Sequence, residues 1–281
     1  MEQLLQILVL AIVQGAAELL PVSSSAHVIV AEKLMGLDPT SPQMTLLLVM
    51  LHTGTMFAVI AYFWRSWHAA YFSSAQAFRI NALRIGLATV CTGVVGLALL
   101  ELIKHVVAGG SSQFEVEHLF GNARLMAAAL AAAGVLIIAS SRMAAREGEL
   151  TLGGAAWIGA VQGLCLPFRG FSRSGATIST GLALGIARRR AEEFSFALAV
   201  VLTPAVIVKE AHRLYKAQTL VAADAGTTLL QLAGPSLLGM SFSFLAGLLA
   251  LRWLSAWLER GRWHFFGGYC LLASLVVLWV G

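Results

Sequence analysis

The chain has 281 residues, 58% of them hydrophobic and only 12% charged, with a mean hydropathy of +0.81 and a net charge of +5. This excludes an ordinary soluble domain and a disordered chain, and indicates an all-α polytopic membrane protein in which residues 1–281 form one integral membrane domain. The positive charge is no nucleic-acid signal, because the arginines cluster in short stretches between apolar runs.

Residues 4–13 are apolar, but Gln14, Glu18 and Pro21 follow at once. A helix over 4–20 would be about 25 Å long, short of a ~30 Å hydrocarbon core. The better reading is a re-entrant hairpin over about residues 1–33, broken at Pro21-Val22-Ser23-Ser24-Ser25. Non-helical backbone at such depth is tolerated only where protein or a wet cavity surrounds it. The first residues lack a basic segment and read as part of the fold, not as a signal peptide.

A loop at 38–42 leads to a span over 44–64, and residues 65–84 form an amphipathic connection with Trp67, Tyr71 and Phe72 as expected interface anchors. Further spans are expected at 83–103 and 120–140, separated by a polar loop at 104–118. The stretch 152–166 is apolar but too short to cross, and runs into Pro167-Phe168-Arg169-Gly170. With its return arm, 176–186, it forms the second re-entrant hairpin. Spans over 194–214, 229–251 and 265–280 complete about six transmembrane helices plus two hairpins. Cys91, Cys165 and Cys270 lie in apolar surroundings without metal-ligand spacing and read as small packing residues.

Placing Arg65, Arg79 and Arg84 inside also puts Arg142, Arg146, Arg188 to Arg190, Arg252, Arg260 and Arg262 inside. Outside loops then receive Lys104, Arg213 and Lys216, in keeping with the positive-inside rule. Both termini fall outside, and the hairpins enter from opposite faces. The hairpins also resemble each other. Gln14-Gly15 precedes the first serine loop and Gln162-Gly163 the second, while Leu51-His52-Thr53-Gly54 and Val201-Leu202-Thr203-Pro204 occupy similar places downstream. The expectation is an inverted-topology repeat, approximately 1–110 and 151–260, with a site near the midplane where the repeats meet.

Gly170-Phe171-Ser172-Arg173-Ser174-Gly175-Ala176-Thr177 is a polar loop of small residues around one arginine. Small residues and helix-start N–H groups admit an anion, and a guanidinium fork suits phosphate oxygens. An arginine at bilayer depth is costly and needs a partner. With Gln14, Glu18, Ser23, Ser24, Ser25 and His27 from the first hairpin, and Ser172, Ser174 and Thr177 from the second, the set suits phosphoryl transfer. Ser24 is the candidate nucleophile, with Glu18 or His27 taking its proton; alternatively, water attacks and the serines only bind. Glu18 also stands as the candidate ligand for a divalent cation. The plainer alternatives are a structural Glu18–Arg173 pair, serines that cap a helix, and a packed His27. His52, Glu101 and Glu210 carry no assignment.

These motifs resemble the undecaprenyl-diphosphate phosphatases of the bacitracin-resistance type. The likeness rests on Gln14-x-x-x-Glu18 running into Pro21-Val22-Ser23-Ser24-Ser25-Ala26-His27, and on Gly170-Phe171-Ser172-Arg173-Ser174-Gly175-Ala176-Thr177. Phe63-Trp64-Arg65 and Glu193-Phe194-Ser195-Phe196 extend it over nearly the whole chain. The resemblance implies hydrolysis of undecaprenyl diphosphate to undecaprenyl phosphate and inorganic phosphate, in the recycling of the carrier lipid for cell-wall synthesis. It implies a bacterial inner-membrane protein with a periplasm-facing site and dependence on a divalent cation, Mg2+ or Ca2+. Glu18, Ser24, His27 and Arg173 are then the catalytic set, with Gln14, Ser23, Ser25, Ser172, Ser174, Thr177 and Arg169 around the substrate. Expected partners are the polyprenyl diphosphate and membrane lipids, with no nucleic acid; a homodimer is left open.

The chain departs from the family pattern at Gln14, where many members carry glutamate, at Arg169, where a proline is usual, and at Ala26, where glycine is common. Two other functions compete. A transporter or flippase of a polyprenyl phosphate would use the same broken helices, but needs no nucleophile. A silent paralogue would bind the lipid phosphate without cleaving it.

Overall fold

The computed structural model describes residues 2–38, 41–108, 122–144, 146–168, 170–221 and 229–280. They form ten helices: α1 (Glu2–Leu19), α2 (Ser24–Leu34), α3 (Pro42–Tyr71), α4 (Ala75–Ala108), α5 (Ala123–Ser141), α6 (Leu152–Leu164), α7 (Arg173–Ala183), α8 (Arg188–Val221), α9 (Leu229–Glu259) and α10 (Trp263–Val280). The chain is thus an all-α polytopic membrane protein. Among the described residues five helices, α3, α4, α5, α9 and α10, are long and apolar enough to cross a membrane. α1 and α6 are apolar but shorter. Arg169 and the tip of the 104–118 loop lie outside the described residues.

Each short helix turns back at a proline followed by a polar helix start. Leu20 ends α1 because the following Pro21 disfavours helical backbone before it. Ser23 has φ 67°, the one positive value at a non-glycine among the described residues, and α2 starts at Ser24. In the second hairpin Pro167 follows α6, and Ser172 caps α7 by accepting from the Gly175 N–H at 3.2 Å. Thr151 caps α6 in the same way, through the Gly154 N–H at 3.0 Å.

α1 packs on α9, and α6 packs on α4; α2 touches α10, and α7 lies on α5. Gly15 and Gly163 allow the two close approaches. A Cβ on Gly15 would lie 2.6 Å from the Ser243 carbonyl oxygen, and one on Gly163 would lie 2.8 Å from that of Thr92. Hydroxyls tie α9 to α3 and α4 to α6. Ser243 donates to Leu51 O at 3.0 Å, and Thr92 donates to Gly159 O at 2.8 Å while accepting from Gln162 Nε2 at 3.1 Å. Side-chain hydrogen bonds and small residues are the associating elements expected where lipid removes the hydrophobic drive between helices.

α3 packs against both α8 and α9, around Phe63, Trp67 and Phe196, with Phe63 stacked on each of the others at 5.5 Å. Trp67 is therefore a core residue, not an interface anchor. α3 continues unbroken to Tyr71, so Trp67 falls one turn after Phe63 on the inward face, and its indole N–H reaches the Glu193 carbonyl. Phe72 is exposed, as an anchor requires.

One end of the molecule gathers Arg188, Arg189 and Arg190. Glu193 is buried and takes Arg189 at 3.0 Å, Arg190 at 3.3 Å and the Ser66 hydroxyl. Arg188 donates to the Glu259 carbonyl at 2.8 Å. The end of α3, the start of α8 and the end of α9 thus share one face.

Candidate active site

Glu18, in the last turn of α1, is the hub of the site. Its Oε2 accepts from the Ser24 hydroxyl at 2.6 Å and from Gln14 Nε2 at 3.2 Å. Gln14 is one turn back on the same helix face. The other carboxylate oxygen, Glu18 Oε1, accepts from Arg173 Nη2 at 3.1 Å. The two hairpins therefore meet at a carboxylate–guanidinium pair between residues 155 positions apart. Both side chains are mostly enclosed, with 18% and 23% exposure. Arg173 Nη1 is buried and has no hydrogen-bond partner. A buried donor without an acceptor is costly unless something else fills the place.

The first-hairpin serines divide their work. Ser24 faces Glu18, while Ser23 and Ser25 share a hydroxyl contact of 3.3 Å. Those of the second hairpin hold its frame. Ser172 caps α7, Ser174 donates to the Leu20 carbonyl at 3.3 Å, and Thr177 donates to the Arg173 carbonyl at 2.8 Å and meets Ser195 at 2.6 Å. Thr177 and Ser174 are buried in this role. Arg169, named among the binding residues, lies outside the described residues.

His27 sits apart from the carboxylate. Its Nδ1 is 2.8 Å from the Ser23 carbonyl and its Nε2 is 2.6 Å from the Tyr269 hydroxyl on α10. The imidazole beside Glu18 is His52 of α3, whose Nε2 lies 3.8 Å from Oε2 while Nδ1 faces the Leu48 carbonyl at 2.8 Å. His52 stands in the Leu51-His52-Thr53-Gly54 stretch that marks the repeat, and that position was its only signal. Nothing local marked Tyr269, whose contact with His27 closes over 242 positions.

Next to His27 an apolar cavity of about 1200 Å³ opens between α1, α5, α9 and α10. Val13, Ala16, Leu20, Trp257, Phe266 and Leu271 line its length. His27 and Tyr269 also border it, as do Arg142 and His264 from the ends of α5 and α10 on the arginine-rich face.

Among the described residues no group of three or more His, Cys, Asp or Glu side chains is placed to hold a metal ion. The oxygen donors present are the Glu18 carboxylate, the Gln14 amide and the Ser24 hydroxyl, beside the Arg173 guanidinium and the His52 imidazole. Such donors suit a hard cation that keeps waters and shares the substrate's phosphate oxygens, not a closed protein cage.

The chain is 66% identical over 276 residues to "Undecaprenyl-diphosphatase 2" of Acinetobacter baylyi, covering 98% of this chain and 97% of that protein. It is 34% identical over 275 residues to "Undecaprenyl-diphosphatase" of Thermus thermophilus, covering 96% and 94%. It is 30% identical over 281 residues to the protein of that name from Rhodopirellula baltica, covering 99% and 98%. The family described as "Bacitracin resistance protein BacA" matches residues 7–276. With Glu18, Ser24 and Arg173 inside that match, the chain belongs to the BacA bacitracin resistance family.

Proposed function

We propose that this protein is an undecaprenyl-diphosphate phosphatase, releasing inorganic phosphate and undecaprenyl phosphate at the junction of its two hairpins and so returning the carrier lipid to cell-wall synthesis. The observation that carries the chemistry is the line Ser24–Glu18–Arg173. A hydroxyl donates at 2.6 Å to a carboxylate, whose other oxygen holds an arginine with a buried, unpartnered nitrogen. The orphan Nη1 is the donor a phosphate oxygen satisfies.

Ser24 Oγ attacks the terminal phosphorus, and its proton passes to Glu18 Oε2. The bond from that phosphorus to the bridging oxygen breaks, and undecaprenyl phosphate leaves with the electron pair. Water then attacks the phosphoserine, and the Ser24 oxygen leaves with a proton from Glu18. Arg173 neutralises charge on the transferring group throughout. Glu18, with Gln14 beside it, would hold the Mg2+ or Ca2+ that comes with the diphosphate. The cation's contribution there is to offset phosphate charge.

The lipid tail occupies the apolar cavity, which His27 borders. The residues 194–214 of α8 are the sixth span, and the two re-entrant hairpins belong to the inverted repeats 1–110 and 151–260. The paired packing of α1 on α9 and α6 on α4 supports this reading, as do the matching Gln-Gly positions. The arginine-rich end faces the cytoplasm and the phosphate site the periplasm.

The test is phosphate release by the purified protein with Arg173→Lys and Arg173→Ala. Lysine keeps the charge but not the fork, so it should leave a small residual rate and alanine none. Wild-type rates in the alanine variant would remove the site from the reaction. Lipid bound but never cleaved by the wild type would move the function to carriage of the lipid.

A further inference from the structure

The break between α1 and α2 is held by its carbonyl groups. Ser174 on α7 donates to Leu20 O, and Cys270 on α10 donates to Pro21 O at 3.2 Å. His27 Nδ1 lies 2.8 Å from Ser23 O. A carbonyl only accepts, so Nδ1 carries the proton of the neutral ring and Nε2 carries the lone pair. The Tyr269 hydroxyl, 2.6 Å from Nε2, is then its donor. The two rings lie within 13° of parallel. Both nitrogens of His27 are thus committed, one to the turn and one to α10. Ser23, whose carbonyl the ring holds, has a φ of 67°, a left-handed conformation that a residue with a Cβ adopts only under constraint. The next residue is Ser24. The direction of the nucleophile therefore depends on a turn that does not relax into place by itself.

We propose that Tyr269 is a positioning residue for phosphate release: its hydroxyl locks His27 onto the Ser23 carbonyl, and so keeps the left-handed turn that aims Ser24 at Glu18. This rests on the phosphatase reading above. Tyr269 and Cys270 are neighbours on α10 and both act on the same four-residue break, so one span braces the nucleophile from behind. Tyr269 also borders the tail cavity. The side chain that sets the nucleophile thus also stands against the proposed tail site.

Two measurements test this. The first is kcat and KM for phosphate release with Tyr269→Phe, which keeps the ring in the cavity wall and removes only the hydroxyl. The expected result is a kcat lower by about tenfold with KM within about twofold. An unchanged kcat, or a raised KM alone, overturns the proposal, because Tyr269 then only lines the tail site. The second is the 15N imidazole spectrum of His27 in detergent, assigned by its absence in His27→Gln. The wild type should show a proton on Nδ1, and Tyr269→Phe a mixture of tautomers. A wild-type proton on Nε2, or a spectrum that Tyr269→Phe leaves unmoved, overturns it too. If the wild type releases no phosphate at all, the phosphatase reading falls, while the spectrum still reports whether Tyr269 fixes the ring.

Discussion

Glu18 holds Arg173 through Oε1 and the Ser24 hydroxyl through Oε2, and the proposed reaction asks the same carboxylate to take the Ser24 proton and to help hold the cation. Glu18→Gln keeps the shape and removes both the base and the countercharge. Phosphate release should fall by a factor of about 10²–10⁴, the usual range for losing a general base. Binding of the lipid diphosphate should survive, because Arg173 then faces phosphate without a competing carboxylate. Equal loss of binding and rate would make Glu18 a structural partner of Arg173 only. His52, 3.8 Å from the same carboxylate, orients it from the third side. His52→Gln retains an N–H on that side and should keep more activity than His52→Leu, measured as kcat at matched protein quality. Glu18, Ser24 and Arg173 were legible because each stands in a polar motif that an apolar chain has no other reason to carry. His52 and Tyr269 were not, because nothing beside either one in the sequence names its partner. That partner is fixed only when α3 or α10 packs against the first hairpin.

At the scale of the elements, the hairpins are held to the spans through Gly15 and Gly163, where an added Cβ would collide with a carbonyl oxygen. Gly15→Ala and Gly163→Ala should each destabilise the protein by about 1–3 kcal/mol through overpacking, read as a lower thermal midpoint in detergent. The two should lower it to a similar degree if the crossings are equivalent. A midpoint that does not move would show that the helices sit further apart. Both broken helices were legible from Pro21 and Pro167, since proline and a polar run together stop a helix. The helix ends at the charged face were not. The spans read as ending at residues 64 and 251, short of Arg65 and Arg252, yet α3 runs to Tyr71 and α9 to Glu259. Long basic side chains keep their charges in the polar layer while the backbone stays helical, so charge marks the interface and not the end of the helix.

For the molecule as a whole, Arg188 to Arg190 gather with the ends of α3 and α9 on one face, and the proposed phosphate site lies where two chain-distant hairpins touch. The proposed orientation makes a direct prediction. A cysteine at Lys104 should react with a membrane-impermeant maleimide on intact cells, and one at Arg142 should react only after lysis. The reverse pattern would invert the protein in the membrane and put the arginine-rich face in the periplasm. The central claim is narrower and is reached most directly by one measurement. This is inorganic phosphate released from undecaprenyl diphosphate by the purified protein in detergent with Mg2+, beside Ser24→Ala. Release by the wild type and none by Ser24→Ala would fit a nucleophile held at 2.6 Å from Glu18. Equal release by both would contradict it and hand the attack to water.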